Sequence, residues 1–356
     1  MTSLGIGLIG CGFIGRFHSI ALRSLIKQGL VDATYAAVCD TDKSRAESFA
    51  EVTGARLVTA DPQEVISSPD VHVVYVCVPT AAHKELVLMA AARGKHVFCE
   101  KPLATSLADV KDMVAAVEGA GVKAGVGLIL RHSPVLTVLK SLTEDPTLGH
   151  LMAVVFRDDQ FFPIQGHYAS DWRKDRRQAG SGTLLEHSIH DVDVLRWFAG
   201  DVRNVRGSVR SFAGHEGVED LAMAHLQFVG GAQAQLVSVW HNVLGRPSSR
   251  RLELFFENAF FHIDNDFSGS INFQKHSEPP VVMSVSEVRE RYLALIGLTG
   301  SLADALRYSL EDYFFLDSTA KGKEPFPDFK LALEAHRVVD AIYRSAAAGG
   351  NELSLP

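Results

Sequence analysis

The chain has 356 residues, of which 47% are hydrophobic and 22% charged, and its formal net charge is −7 at pH 7. This length suggests two domains, and an acidic balance without a basic block argues against nucleic acid as a partner. No apolar run approaches the roughly 20 residues of a membrane span, so no membrane association is expected. Because no basic region precedes the first apolar run, the N-terminus does not resemble a signal peptide, and we expect a cytoplasmic protein.

The first 130 residues alternate apolar, strand-like runs with segments of helical spacing. The predicted strands are 4–9, 33–39, 71–78, 95–98 and 123–130, and the predicted helices are 16–26, 43–53, 81–93 and 106–120. This alternation predicts an α/β fold, a doubly wound parallel sheet, for a first domain of residues 1–128.

All four cysteines lie in this first domain, and none has CxxC spacing. They are Cys11, Cys39, Cys77 and Cys99. Zinc ligation or a disulfide framework is not indicated by this spacing, so we expect small buried side chains in a reducing cytoplasm.

A glycine-rich turn joins the first predicted strand to the first predicted helix. Its GxGxxG pattern is formed by Gly10, Cys11, Gly12, Phe13, Ile14 and Gly15. Glycines there permit a tight turn and close backbone approach, and the helix N-terminus offers N–H groups to a pyrophosphate. Asp40 ends the second strand, where an acid hydrogen-bonds the ribose hydroxyls and repels a 2′-phosphate. NAD is therefore favoured over NADP, although Lys43 and Arg45 nearby are able to reach a phosphate.

Lys101 follows the apolar run 95–98, and Pro102 prevents that strand from simply continuing. In an open parallel sheet the strand ends face the ligand crevice, so this ammonium group is positioned to meet a substrate. The alternative is an ordinary solvated lysine beside a turn.

After about residue 130 the pattern changes to strand candidates joined by short turns. The predicted strands are 151–156, 205–212, 221–228, 232–240, 251–257 and 259–264, and the predicted helices are 133–142, 182–198, 301–320 and 330–348. A second domain, residues 129–356, is therefore an α+β unit with an open, mostly antiparallel sheet. An apolar face left uncovered on that sheet would favour a homodimer or homotetramer.

A dense polar patch follows the glycine-rich residues 180–182. Glu186 and His190 are four apart on a predicted helix, so they share a face and can form a carboxylate–imidazole pair. Such a histidine can take a proton from a hydroxyl, whereas the alternative is a solvated helix face. His187 and Asp191 add metal-ligand types, but the order is not HExxH and no distant third ligand stands out, so we predict no metal.

The segment 157–177 is too polar and broken for a regular element, and we expect it to contact substrate. Its candidate side chains are Asp158, Asp159, Gln160, Tyr168, Asp171, Trp172 and Arg173. Paired acids hydrogen-bond vicinal hydroxyls well, and an indole can cover a sugar ring. A solvated surface loop is the alternative. His241 and Asn242, at a strand end, are weaker candidates.

These stretches together resemble the glucose-fructose oxidoreductase and inositol dehydrogenase family (Gfo/Idh/MocA) over essentially the whole chain. The matching blocks are the glycine turn, the Val-Pro-Thr that precedes His83, the block Gly-Lys-His-Val-Phe-Cys-Glu-Lys-Pro-Leu at 94–103, and the glycine-rich lead into the Glu/His helix. The resemblance implies an N-terminal Rossmann domain, a C-terminal sheet domain used for oligomer formation, and NAD(P)-dependent chemistry on sugars, sugar acids or cyclitols.

The resemblance also implies roles for individual residues. Lys101 falls beside the nicotinamide and the reacting hydroxyl, the catalytic histidine falls on His190, and the family's usual aspartate falls on Glu186, a departure. The residues that fall where the family lines the cofactor are Pro79, Thr80, His83, Glu100 and Lys101. The expected substrate contacts are Lys101, Arg131, Gln160, Tyr168, Trp172, Arg173, Glu186, His187 and His190.

The resulting mechanism is a direct hydride transfer from a secondary hydroxyl to the nicotinamide. His190 removes the hydroxyl proton, and Lys101 donates a hydrogen bond that offsets charge growing on the oxygen. Three alternatives stay open: an NAD-dependent glycosidase that oxidises a ring carbon transiently, a non-catalytic NAD-sensing regulator, and a reductase of a non-sugar such as a tetrapyrrole. Retention of both Lys101 and His190 speaks against the regulator.

Overall fold

A computed structural model of the chain describes residues 3–246, 248–298 and 310–356. It divides into two compact units, Met1–Ile129 with Gly300–Leu333, and Leu130–Thr299 with Glu334–Pro356. The helix predicted at 301–320 lies outside the described residues up to 309, and its described part is helical from Leu310 to Ala320. Within the described ranges, no helix is both long enough and apolar enough to cross a membrane.

The first unit contains a six-stranded, all-parallel sheet. Its strands in chain order are Leu4–Ile9, Ala33–Cys39, Leu57–Thr59, Val73–Val76, His96–Cys99 and Ala124–Val126. Their spatial order is third, second, first, fourth, fifth, sixth, which confirms the doubly wound parallel sheet. The central strand Val73–Val76 is buried at every residue, as its unbroken β-branched and aromatic sequence predicts.

The helices of the first unit follow the strands in alternation. Their bounds are Phe13–Lys27, Lys43–Thr53, Pro62–Ser67, His83–Ala92, Leu107–Ala120 and Leu310–Ala320. Asp42 and Ser106 cap two of these helices by accepting backbone N–H groups of the first turn. The prediction omitted Leu57–Thr59 and Pro62–Ser67 because elements this short carry no measurable periodicity.

The second unit contains a nine-stranded sheet. Its strands in chain order are Leu151–Phe161, Val202–Arg210, Leu221–Phe228, Gln233–His241, Ser249–Phe256, Ala259–Ile263, Ile271–Lys275, Val281–Met283 and Leu353–Ser354. The first and fourth of these pair in parallel, and the other neighbouring strands pair antiparallel, so the mostly antiparallel sheet is confirmed. The last three strands were not predicted from the sequence.

The prediction of an irregular segment from residue 157 is wrong at its beginning. The strand Leu151–Phe161 continues through Asp158, Asp159 and Gln160, each at most 6% exposed. Arg250 lies directly opposite Asp158 on the neighbouring strand, and this partner allows a carboxylate inside the sheet.

The helices associated with the second unit include one that the prediction made too long. Their bounds are Pro134–Leu142, Arg176–Ala179, Thr183–Glu186, Ile189–Ala199, Val285–Leu295 and Phe329–Ala347, and the division between the units falls within the last of these. The helix predicted at 182–198 is two helices, separated at His187 and Ser188. Glu186 and His190 therefore lie on two different helices.

Candidate active site

The glycine turn has two glycines that the backbone requires and one that leaves space. A Cβ on Gly10, whose φ is +100°, would lie 2.3 Å from the Cys77 carbonyl oxygen, and one on Gly15 would lie 2.1 Å from the Gly10 carbonyl oxygen. A Cβ on Gly12 would meet no described residue within 4 Å. Gly12 precedes the helix Phe13–Lys27, whose first turn has no side-chain cap. The open approach to an uncapped helix N-terminus fits a dinucleotide pyrophosphate.

Asp40 links the glycine turn to the end of the second strand. One carboxylate oxygen accepts the Cys11 N–H at 2.9 Å, and the other accepts the Asp42 N–H at 2.9 Å. The Arg45 guanidinium lies 3.5 Å from each oxygen. The structure therefore places this carboxylate beside the predicted cofactor turn, with an arginine next to it.

His83 joins two of the predicted cofactor loops from inside the protein. It follows Pro79 and the single helical turn Thr80–Ala82, and it is 1% exposed. Its Nδ1 lies 2.9 Å from the Pro102 carbonyl oxygen and its Nε2 lies 2.9 Å from the Val78 carbonyl oxygen. Direct contact of Pro79, Thr80 and His83 with the cofactor stays a prediction.

Glu100 connects Lys101 to a buried histidine. Its Oε2 accepts the Lys101 backbone N–H at 3.1 Å, and its Oε1 lies 2.8 Å from Nε2 of His18. Nδ1 of His18 lies 2.9 Å from Oδ1 of Asp312. Burial alone would lower the pKa of His18, but the two carboxylates outweigh it and raise that pKa well above 6.5. Burial opposes ionisation of Glu100, yet His18 and Lys101 hold its pKa below the usual value.

Glu311 completes this buried cluster and was not predicted as a site residue. It is 3% exposed, and burial raises its pKa well above 4.5. His18, Glu100 and Glu311 offer ligand atoms within 4.8 Å of one another, the one such group of potential metal ligands in the described part of the chain. The prediction of no metal was based on the residues Glu186–Asp191 and not on this buried cluster.

The predicted helical pair of Glu186 and His190 rests on a helix that is not continuous. Thr183–Glu186 ends before Ile189–Ala199 begins, so the four-residue spacing does not place both side chains on one helix face. Glu186 is 2% exposed, and its Oε2 accepts a hydrogen bond from Arg173 Nε at 3.3 Å. The prediction that one helix carries both residues is wrong, while contact between Glu186 and His190 stays a prediction.

Short polar side chains hold this break against the sheet. The hydroxyl of Ser238 lies 2.7 Å from that of Thr183 and 2.6 Å from that of Ser188. Glu219 accepts the Gly182 N–H at 2.8 Å, and a Cβ on Gly182 would lie 1.8 Å from the Glu219 carbonyl oxygen. Helical spacing alone did not reveal these tertiary hydrogen bonds, which fix the segment that carries His190.

A buried charge network lies on the other side of the break. His187 Nε2 is 2.8 Å from Asp158 Oδ2. The Arg250 guanidinium reaches Asp158 at 3.1 Å, Asp191 at 2.7 Å and Asp266 at 2.8 Å. Burial and the Asp158 charge raise the pKa of Asp191 to about 7. The sequence did not indicate Arg250 and Asp266 as site residues, because only the folded chain brings them next to Asp158 and Asp191.

Arg131 forms a buried ion pair in the second unit. Its Nε and Nη2 donate to the two Asp193 carboxylate oxygens at 2.6 and 2.8 Å. Its guanidinium also lies 4.8 Å from the centre of the Trp197 ring. The bidentate pair gives Arg131 a structural partner, and its predicted contact with substrate stays a prediction.

The remaining substrate candidates lie in and after the strand Leu151–Phe161. Gln160 is 3% exposed, and its Oε1 has no hydrogen-bond partner among the described residues. The Arg173 guanidinium lies 4.3 Å from the centre of the Trp172 ring. Burial raises the pKa of Tyr168. An amide oxygen left without a partner is costly, so Gln160 is suited to accept a hydroxyl donor.

These features define the class of protein. A parallel doubly wound sheet with a GxGxxG turn and an acid after its second strand is a dinucleotide-binding oxidoreductase domain. Residues 4–128 match the description "Oxidoreductase family, NAD-binding Rossmann fold", and residues 136–262 match "GFO/IDH/MocA C-terminal domain". The chain belongs to the Gfo/Idh/MocA oxidoreductase family, as the sequence blocks indicated.

Individual relatives extend over most of the chain. It is 25% identical to the levoglucosan dehydrogenase of Pseudarthrobacter phenanthrenivorans over 98% of this chain and 97% of that protein. It is 33% identical to the myo-inositol 2-dehydrogenase of Thermotoga maritima over 73% of this chain and 75% of that protein. Among solved structures, an oxidoreductase domain protein from Kribbella flavida aligns over 100% of both chains with a TM-score of 0.87 and 27% identity.

Proposed function

We propose that the chain is an NAD-dependent dehydrogenase that moves hydride between the nicotinamide and a secondary hydroxyl of a sugar, sugar derivative or cyclitol. The observation that carries the proposal is the glycine turn, which leaves an open approach to the N-terminus of Phe13–Lys27. The substrate class is supported by the names of the levoglucosan and myo-inositol dehydrogenases that the chain resembles.

NAD is the proposed cofactor because a buried carboxylate stands at the end of the second strand. Asp40 is suited to hydrogen-bond two ribose hydroxyls, and its charge disfavours a 2′-phosphate. The N–H groups of the glycine turn would hold the pyrophosphate. Arg45, 3.5 Å from Asp40, supplies a positive charge next to this carboxylate and is the residue through which NADP would gain affinity.

His190 is the proposed base and Lys101 the proposed hydrogen-bond donor. When bound, NAD supplies the hydride acceptor. His190 is only 6% exposed, so little bulk water competes for the proton that it removes from a hydroxyl. Lys101 offsets the negative charge on that oxygen. The proposed substrate contacts are Arg131, Gln160, Tyr168, Trp172, Arg173, Glu186 and His187.

We also propose a cytoplasmic homodimer or homotetramer formed through the second unit's sheet. Val155, Met223 and Phe255 share one sheet face by strand register and remain 37–40% exposed. Partly exposed apolar residues on one face favour subunit association. All four cysteines are free and buried, which supports a reducing compartment. Sedimentation velocity of wild type and Val155→Arg tests the interface.

The deciding experiment follows the absorbance of the reduced nicotinamide while purified protein is offered either NAD or NADP, together with inositols, aldoses and glycosides. We expect a rise with NAD that disappears in Lys101→Ala and His190→Ala, with binding of NAD retained. If no compound causes a rise in absorbance although NAD still binds, the proposed dehydrogenase function is contradicted. Product analysis of the glycosides would then separate a glycosidase, which consumes no NAD, from a regulator.

A further inference from the structure

A continuous series of hydrogen bonds, of which the first two are buried and the last is partly buried, leads to the backbone of Lys101. It runs from Asp312 to His18, from His18 to Glu100, and from Glu100 to the Lys101 N–H, with donor–acceptor distances of 2.9, 2.8 and 3.1 Å. Every residue of the series lies in the first unit. His18 is fully buried and Asp312 is 0% exposed, so water does not replace these contacts.

We propose that His18 and Asp312 are positioning residues for Lys101, which they hold in place through the Glu100 carboxylate. The consequence for catalysis rests on the proposed dehydrogenase function. The positioning itself does not, because it concerns only the backbone and amine of Lys101. Neither His18 nor Asp312 belongs to the predicted cofactor, catalytic or substrate residues.

The charges explain why the arrangement is fixed rather than adjustable. A buried imidazolium with a carboxylate on each ring nitrogen is paired on both sides, and removal of the imidazolium would leave two buried carboxylates without their positive partner. Glu100 uses separate oxygens for His18 and for the Lys101 N–H, so a movement of one contact strains the other. The peptide of Lys101 therefore depends on side chains from distant parts of the chain.

The opposite side of Lys101 is held as well. The Pro102 carbonyl oxygen lies 2.9 Å from His83 Nδ1. Glu100 thus holds the peptide immediately before Lys101, and His83 holds the peptide that follows Pro102. The side chain of Lys101 is partly exposed.

Gly127 provides a way to disturb Glu100 without changing any charge. A Cβ on Gly127 would lie 2.7 Å from Glu100 Oε1 and 2.9 Å from Oε2, so alanine there must displace the carboxylate. Gly119, in the helix Leu107–Ala120, is a matched control, since its Cβ would meet no described residue within 4 Å. Both substitutions add one methyl group.

The first test measures Lys101 directly and needs no turnover. The full-length protein without NAD is labelled with acetic anhydride, and acylation of Lys101 is compared by mass spectrometry with that of the exposed Lys27. We expect Gly127→Ala and Asp312→Asn to change the Lys101 rate by about threefold or more, equivalent to half a pKa unit. Gly119→Ala should leave it unchanged. Equal rates in all four proteins would overturn the proposal.

The second test uses the reaction. Asp312→Asn should lower kcat about tenfold or more with little change in KM for NAD, because misplacement of a reacting group affects the chemical step. In a Lys101→Ala background, whose residual turnover is followed at high enzyme concentration, it should lower kcat no further, since both changes then act through one side chain. Additive losses would overturn the proposal. If wild type turns over no substrate, the proposed function fails while the labelling result still decides the positioning.

The pH profile separates positioning from simple loss of stability. Without Asp312 the pKa of His18 falls, so the imidazolium is lost as pH rises and Glu100 loses its charged partner. Asp312→Asn activity should therefore fall, relative to wild type, with increasing pH. The ionisable groups next to His18 are Glu100, Asp312, Glu311 and Tyr75. Lys101, Tyr35 and Cys77 interact electrostatically with the carboxylates of this cluster. Parallel wild-type and variant profiles would contradict the role of His18.

Discussion

Arg250 and Asp191 form a buried ion pair, with Nε of the arginine 2.7 Å from Oδ1 of the aspartate, although 59 residues separate them along the chain. The pair attaches the helix Ile189–Ala199, which carries His190, to the strand Ser249–Phe256. Asp158 and Asp266 contact the same guanidinium. The arginine therefore shares its positive charge among three carboxylates, one of which, Asp191, directly follows the proposed base His190.

Replacement of Arg250 should destabilise the protein strongly. Arg250→Met leaves buried carboxylates without their positive partner, and we expect a loss of about 3–5 kcal/mol in the free energy of unfolding. Urea denaturation followed by circular dichroism measures it. Arg251→Met is the matched control, because that neighbouring arginine is exposed and should change stability by about 0.5 kcal/mol or less. Similar losses in both variants would contradict the importance of the network.

Asp191 should make stability depend on pH. Burial and the Asp158 charge raise its folded-state pKa to about 7, whereas the unfolded value is near 3.8. Ionisation of this group then favours the unfolded chain between those values, so its contribution to stability falls as pH rises from about 4 to 7. Wild type should lose stability relative to Asp191→Asn over that range, by chemical denaturation at several pH values. Asp171→Asn, at an exposed carboxylate, should run parallel to wild type.

The fold was predictable where residues follow a regular period. The strand Ala33–Cys39 and the helix Lys43–Thr53 were predicted with the bounds that the structure has, since each has a clear apolar pattern and a definite end. The helix across His187 was not, because the hydroxyl of Ser238 comes from a strand some 50 residues later. Tertiary hydrogen bonds overrode local spacing there.

The candidate site was predictable where a motif carries its own geometry. The turn requires glycine at positions 10 and 15, because the structure leaves no room for a Cβ at either position. His18, Asp312 and Arg250 carried no local signal, since their partners lie 16 to 294 residues away along the chain. A single sequence does not encode such distances in any local pattern.

Gly12 and Gly15 of the turn should respond differently to substitution by alanine. Gly12→Ala should fold normally, because its Cβ meets open space, yet bind NAD about tenfold or more weakly, since the methyl group enters the proposed pyrophosphate site. Gly15→Ala should lower the melting temperature, because its Cβ would lie 2.1 Å from the Gly10 carbonyl oxygen. Thermal unfolding and NADH fluorescence titration separate the two effects. Unchanged affinity in Gly12→Ala would place the pyrophosphate elsewhere.

Replacement of Asp40 should alter the choice between NAD and NADP. Asp40→Ser removes the carboxylate that disfavours a 2′-phosphate and frees the Arg45 guanidinium 3.5 Å away, so a phosphate gains a positive partner. We expect affinity for NAD to fall about tenfold and affinity for NADP to rise, measured by titration with each reduced cofactor. Asp42→Ser is the matched control, because serine can still cap the helix Lys43–Thr53 as aspartate does. If the ratio of the NAD and NADP affinities is unchanged in Asp40→Ser, or shifts equally in Asp42→Ser, another residue determines the choice between the two cofactors.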